Sequence, residues 1–195
     1  MVDRVARSVL YSKTQAFEKR GKDFILPDHL LTELYDLMKW APTSVNGIPA
    51  RILFLRSRES KEKLLPAVGE DDYELMVAAP VTVIVGMEMD VHGQFSNMSS
   101  YLNVRSLFIG DPERMQIKAH RNSSLQGGYL IMASRKIGLD CVPVSDFDKA
   151  MVEGMFFSGT STRVSCICNI GYGEHESVAR TRAPRLPFSE ACKIL

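Results

Sequence analysis

The stretch Met38-Lys39-Trp40-Ala41-Pro42-Thr43-Ser44-Val45-Asn46-Gly47-Ile48-Pro49-Ala50-Arg51 holds the change from helix to strand on which the fold class turns. Before it, Leu30, Leu34, Leu37 and Met38 stand at i, i+4, i+7 and i+8. That spacing predicts one helical stripe, beginning near Pro27, which suits a first turn, and running to Trp40. After it, Ile52-Leu53-Phe54-Leu55 is a continuous apolar run of the buried-strand type. Between helix and strand, Thr43, Ser44 and Asn46 carry short side chains that donate and accept, and Pro42 and Pro49 fix φ near the two ends of the loop. Such a loop reads as a ligand cradle or as a capped turn, since turn residues serve both.

Working outward, Lys61 to Leu65 and Asp72 to Ala78 read as short helices, with Asp71-Asp72 at the positive end of the second. Pro80 opens a strand over Val81 to Val85 that Gly86 and Met87 extend. From Glu88 to Asp111 no period holds, over a length beyond an ordinary connection. Phe95, Tyr101, Phe108 and Arg105 there either close over a pocket as a lid or insert, or pack onto the body. A long helix is predicted from about Gln116 to Ile137, with Gly138 ending it. Inside it, Gly127-Gly128 costs about 1 kcal/mol per residue against alanine, so a flat ligand or a neighbouring helix needs that backbone close. Leu139 to Asp148 reads as an extended stretch leading into a helix capped by Ser145, Asp146 or Asp148, with free N–H groups at its start. Val164 to Ile170 is the last clear strand, and Cys166 and Cys168 are expected on one face of it with Val164 and Ile170. In the tail, Arg180, Arg182 and Arg185 beside Pro184 and Pro187 suit either a phosphate or water.

The composition narrows the class. The 195 residues are 45% apolar and 24% charged, which suits one soluble globular domain of α/β or α+β type with a mixed sheet. Lys plus Arg number 24 against 23 for Asp plus Glu, so no net field draws the chain to nucleic acid. The longest apolar runs fall short of the roughly 18 residues a membrane span needs, and no apolar signal core opens the chain. A cytoplasmic location is expected. Cys141, Cys166, Cys168 and Cys192 form no CxxC and have no His at metal-ligand spacing, and they read as packed thiols. No Walker-type loop and no GxGxxG opening a helix is present.

Taken in order, Lys39-Trp40-Ala41-Pro42-Thr43-Ser44-Val45-Asn46, Ala79-Pro80 before a strand, Arg121-Asn122-Ser123-Ser124-Leu125-Gln126, Gly138-Leu139-Asp140, Asn169-Ile170-Gly171-Tyr172-Gly173 and Arg185-Leu186-Pro187-Phe188-Ser189-Glu190-Ala191 resemble the nitroreductase family. Within it they resemble the malonic semialdehyde reductase branch, the RutE type. The resemblance runs from about residue 26 to the C-terminus. It implies an FMN-dependent reductase that takes hydride from NAD(P)H and passes it to a small aldehyde, nitroaromatic or quinone. It also implies a mixed central sheet flanked by helices in an interlocked homodimer, with exchanged terminal segments and FMN at the subunit interface, and residues 174–195 are expected to form a C-terminal extension of the one domain.

Carried over by position, the resemblance places Pro42, Thr43, Ser44 and Asn46 along the flavin, with Ser44 reaching the partner subunit's cofactor. Val144, Ser145 and Asp146 then offer backbone N–H groups to the ring edge, and Arg185, with Arg182, holds the phosphate. No catalytic acid or base is implied, because flavin performs the hydride chemistry itself. Three places depart from the family pattern. The N-terminal phosphate-binding pair is represented by Lys13-Thr14; Asp72 and Leu75 stand where Asn and Lys are usual; and Asp146 stands where a glycine is common. These departures support an alternative, a relative that binds a ligand or flavin with little or no turnover.

Overall fold

The computed structural model describes residues 25–90, 112–172 and 183–195. The Lys13-Thr14 pair, the aromatic part of the 88–111 segment, and Arg180 and Arg182 lie outside the described residues. The elements are α1 (Asp28–Met38), β1 (Ala50–Leu55), α2 (Arg58–Leu64), α3 (Glu70–Ala78), β2 (Val81–Glu88), α4 (Pro112–Lys136), β3 (Asp140–Pro143), α5 (Lys149–Phe156), β4 (Thr162–Gly171) and α6 (Phe188–Ala191).

The strands form one four-stranded sheet in the order β1-β2-β4-β3. All three pairings are antiparallel. The expected mix of helices and strands stands, with the antiparallel pairing of the α+β form, and a parallel strand, which a mixed sheet needs, is not among the described residues. Both faces are covered, which is why β2 reads as unbroken Val-Thr-Val-Ile-Val: Val81, Val83 and Val85 meet α1 and α4, while Ile84 turns to the face under α2, α3 and α5. On the first face Leu31, Leu34 and Met38 are buried, close to the stripe expected from sequence but centred on Leu31 in place of Leu30. Among the described residues no helix is long and apolar enough to cross a membrane.

Helix ends follow local chemistry. Ser57 caps α2 by accepting from the Ser60 N–H, and Asp148 caps α5 by accepting from Met151. At the end of α4, Gly138 takes φ +81°, the Gly138 N–H donates to Arg135 O at 3.2 Å, and the Leu139 N–H donates to Ser134 O at 2.9 Å. That pair of reversed bonds needs a left-handed residue, so glycine stands there.

One expectation about β4 is overturned. The register runs Val85 opposite Cys166 and then Gly86 opposite Val164, leaving Ser165 as an extra, bulged residue. A bulge shifts the alternation by one. Cys166, Cys168 and Ile170 accordingly face α1 and α4, whereas Val164 joins Ile167 on the other face. Gly127 lies over this part of the strand, and a Cβ there would stand 3.2 Å from Cys166 Sγ. The close neighbour is thus a strand, neither a ligand nor a helix. A Cβ added at Gly128 would meet no other element within 4 Å among the described residues.

Candidate functional site

The Pro42–Ala50 loop leaves α1 as a polar segment and makes one tight turn. Ser44–Asn46 form a single 3-10 turn, in which the Asn46 N–H donates to Thr43 O and the Gly47 N–H to Ser44 O, both at 3.1 Å. Asn46 has φ 55° and Ile48 has φ 24°. Asparagine accepts that region readily, but for a β-branched isoleucine it is an outlier that costs on the order of 1–3 kcal/mol and persists only where the surroundings over-determine it.

Four bonds do so. The Ser44 N–H donates to Asn122 Oδ1 at 3.1 Å, the Ile48 N–H to Thr43 Oγ1 at 3.3 Å, the Ala50 N–H to Gln126 Oε1 at 2.9 Å, and the Glu88 N–H to Pro49 O at 2.8 Å. Asn122 and Gln126 sit one turn apart on α4 and are only 5% and 1% exposed. Arg51 crosses the loop exit, donating to Ala50 O at 3.0 Å and standing 3.9 Å from the Glu88 carboxylate. Glu88 also accepts from Ser161 Oγ and from the Asp90 N–H. These donors and the Arg51 guanidinium outweigh burial, which alone would push its carboxyl up, and hold it below the ordinary value. Among the described residues no hydrogen bond is found to the Ser44 hydroxyl or the Asn46 side-chain amide. Asn46 is exposed and Ser44 half-buried, so both remain available.

The second candidate segment, Val144 to Asp146, follows β3 and is stitched to the α2–α3 region. The Gly69 N–H donates to Asp146 O at 3.3 Å, and the Asp148 N–H to Ala67 O at 2.7 Å. The Val144 N–H donates to Ile167 O at 2.9 Å. Half-buried Asp72, in the first turn of α3, accepts from both the Ser145 N–H at 3.1 Å and the Ser145 hydroxyl at 3.0 Å. Two of the three N–H groups expected to be free are thus engaged within the chain, that of Val144 by a backbone carbonyl of β4 and that of Ser145 by a carboxylate at a helix start. For the Asp146 N–H no partner is found among the described residues. The Asp146 side chain is exposed.

The two segments lie at different corners of the sheet. Pro143 pairs with Cys168, Cys168 with Val83 and Val83 with Phe54, so the second segment starts level with Phe54 on the far edge strand, whereas the loop enters the sheet at Ala50. At about 3.3 Å per residue and about 4.8 Å per strand this is a separation of roughly 13 Å along and 14 Å across the sheet. Arg185 stands apart from both, on an exposed tail, with its guanidinium donating to Ala183 O at 2.9 Å and Pro184 O at 3.3 Å.

No family model matches the chain. Individual proteins do. A Stenotrophomonas maltophilia (strain K279a) protein whose name assigns it to the NADH dehydrogenase/NAD(P)H nitroreductases is 44% identical over 193 residues, covering 99% of this chain and 97% of that one. A Stutzerimonas stutzeri protein with the same name is 41% identical, with the same coverage. The chain belongs to the nitroreductase family. Solved structures agree on the fold: a Bacillus subtilis nitroreductase superposes with a TM-score of 0.85 at 18% identity over 99% of this chain and 100% of that one. A nitroreductase from Exiguobacterium sibiricum, solved in complex with FMN, superposes at 0.84 with 16% identity over 100% and 98%.

Within this nitroreductase-family chain, sequence reasoning passed over Asn122 and Gln126 as members of the site. They belong to the Arg121–Gln126 motif on the long helix, but nothing local says that their amide oxygens meet backbone N–H groups 78 and 76 positions away. Three of the four thiols are packed as expected, Cys141 and Cys168 buried and Cys166 half-buried, whereas Cys192 is exposed on the tail. Hydrogen bonding to Cys168 and burial push the Cys166 thiol well up, and the Cys141 thiol beside Cys168 pushes that one up. They stay protonated. Among the described residues no group of His, Cys, Asp and Glu side chains is placed to hold a metal ion.

Proposed function

We propose that this nitroreductase-family chain is an FMN-dependent NAD(P)H oxidoreductase that works as an interlocked homodimer and reduces a small aldehyde, nitroaromatic or quinone. The observation that carries the reading is the cradle itself. Ser44 and Asn46 keep their side chains unbonded on a loop that the rest of the chain fixes rigidly, and that donor set fits the polar edge of a flat cofactor. The 44% identity to a relative named for NAD(P)H nitroreductase activity, and the FMN bound in a nitroreductase of the same fold, support the cofactor and the electron donor. Bound FMN would supply the two-electron chemistry, accepting hydride from NAD(P)H and delivering it to the acceptor.

Two observations support the dimer. The cradle and the Val144–Asp146 segment are too far apart to face one ring within one chain, so a site that uses both draws them from two chains. The tail from 183 to 195 is exposed at every residue, with Leu186 69%, Phe188 65% and Ile194 84% exposed, which suits an arm that packs on a second copy. In that assembly Pro42, Thr43, Ser44 and Asn46 border the cofactor from one chain. The Asp146 N–H meets it from the other, and Arg185 with Lys13 and Arg182 neutralises its phosphate. A malonic semialdehyde-type acceptor is the finer reading of the substrate, and it rests on the sequence resemblance.

A second reading, a flavin- or ligand-binding protein with little turnover, is favoured by one observation. Asp72 holds the Ser145 donor and adds a carboxylate beside exposed Asp146. One experiment separates the readings. Purified protein is given FMN, freed of excess, and its visible spectrum is followed as NAD(P)H and then an aldehyde or nitroaromatic are added. Bound flavin that bleaches and is reoxidised by the acceptor is the expected result; bound flavin that does not bleach selects the second reading, and no retained flavin overturns the first and leaves the second as a binder of another ligand.

A further inference from the structure

The cradle owes its shape to α4. Alone, the segment from Pro42 to Ala50 has one internal side-chain bond, Thr43 Oγ1 to the Ile48 N–H, set against an isoleucine in the left-handed region. Isoleucine 48 is also followed by a proline, which narrows its backbone choices further. The two outer N–H groups, Ser44 at the entrance and Ala50 at the exit, are each held by a buried amide oxygen, from Asn122 and Gln126. One helical turn separates those two side chains, so the helix works as a ruler that sets the distance between the loop's ends. Both are uncharged, and both sit in the interior, where an amide left without its partner is costly. Ser123, between them, reaches Ser165 Oγ at 2.9 Å and so ties the same turn of α4 to the bulge in β4.

We propose that Asn122 and Gln126 are positioning residues for the cofactor site. They touch no ligand; they hold the 43–50 backbone in a conformation it would leave if released, so that Thr43, Ser44 and Asn46 present their polar groups in the orientation the cofactor needs. The inference rests on the flavin reading above for what the cradle holds, and on this chain's own bonds for how it is held.

The test separates these two parts. Amide hydrogen exchange at Ser44 and Ala50 is measured in the flavin-free protein, and FMN affinity is measured in parallel, for wild type, Asn122→Leu, Gln126→Leu, and the acceptor-preserving Asn122→Asp and Gln126→Glu. Loss of the acceptor is expected to speed exchange at the matching amide by tenfold or more and to weaken FMN at least tenfold. The acidic variants, which still accept from an N–H, are expected to bind FMN more tightly than the matching leucine variants while falling short of wild type, because a buried carboxylate costs free energy; that rescue is one a purely space-filling role does not give. Because the leucine variants remove a buried polar partner and can fail to fold, Ile48→Gly is made alone and with Asn122→Leu. Glycine adopts positive φ freely, so it relieves the need for the clamp, and the double variant is expected to recover FMN affinity relative to Asn122→Leu. Fast exchange at Ser44 and Ala50 in wild type, equal FMN affinity of the Leu and Asp variants, or no recovery with Ile48→Gly would each overturn the proposal. Slow exchange in wild type that takes up no FMN overturns the flavin reading and leaves the clamp standing.

Discussion

The two polar segments of the candidate site are built on opposite plans. The cradle loop holds a strained backbone, with Ile48 at φ 24°, and is anchored from α4, from its own Thr43 and from the end of β2. The Val144–Asp146 segment has no positive φ and hangs on backbone bonds to β4 and to the α2–α3 connection, plus one half-buried carboxylate, Asp72. Strain needs a rigid frame, so the cradle sits where helix, strand edge and bulge meet. The unstrained segment tolerates a lighter attachment. It follows that changes under the cradle should act through the whole fold, whereas changes at Asp72 should act locally.

The largest effect is expected at Gly86, in the strand position that adjoins the cradle's exit. A Cβ there would stand 2.5 Å from Thr162 Cγ2, 2.9 Å from Phe157 Cζ and 3.3 Å from the Arg51 carbonyl oxygen. The last of these is backbone and has little room to give. Gly86→Ala should lower stability by about 1–3 kcal/mol, the range for overpacking a tight core, and lower the melting temperature by several degrees. Thermal unfolding followed by circular dichroism checks this, and an unchanged melting temperature would break the picture of a rigid frame under the cradle.

A smaller and more local effect is expected at Asp72. Asp72→Ala removes the acceptor of two bonds to Ser145, and with a half-buried site the loss should be about 1 kcal/mol. Exchange at the Ser145 amide should rise while the amides of Ser44 and Ala50 stay as protected as in wild type. Asp72→Asn keeps an acceptor and removes a negative charge from beside Ser145 and Asp146. If these residues face the cofactor, it should bind FMN a few times more tightly, and unchanged affinity would detach Asp72 from the site. Fast exchange at all three amides in Asp72→Ala would erase the contrast between the segments.

How much of this was legible in the sequence follows the range of the forces involved. Local signals gave the helix after Pro27, the strands β1 and β2, Asp148 as one of three candidate caps and the glycine that ends α4 at Gly138, because spacing, capping and φ preference act within a few residues. The bulge at Ser165 was not legible: Val164, Cys166, Cys168 and Ile170 alternate faultlessly on paper, and only the pairing with Val85 and Gly86 reveals the extra residue. The residues of the cradle were legible as polar turn formers, but their anchors were not. An asparagine and a glutamine one turn apart on a helix look like a solvated face until the loop they meet has folded onto them. The donor segment erred in the other direction. Its N–H groups looked free because the sequence around them offers no acceptor, and Asp72, the acceptor that engages Ser145, comes from 73 positions away.

The smallest effect is a pH dependence that should appear on the cradle side alone. Glu88 sits behind the loop exit with Arg51, Ser161 and the Asp90 N–H around its carboxylate, and its folded-state pKa lies below the ordinary 4.5 despite burial. A carboxyl whose pKa falls on folding binds fewer protons in the folded state than in the unfolded one between the two values. Its stabilising contribution is therefore complete above 4.5 and is lost as the pH falls through the lower, folded value. Glu88→Gln has no such contribution to lose. The gap in melting temperature between wild type and Glu88→Gln should be widest above about pH 5 and should close as the solution is made more acidic, since only wild type gives up the ionised carboxylate. Exchange at Ala50, next to Arg51, should quicken over the same acid range in wild type, while exchange at Ser145 should not follow Glu88. A gap that stays constant down to the acid limit would mean that the carboxylate does not brace the loop exit, which would then depend on Gln126 and the backbone bond from Glu88 to Pro49.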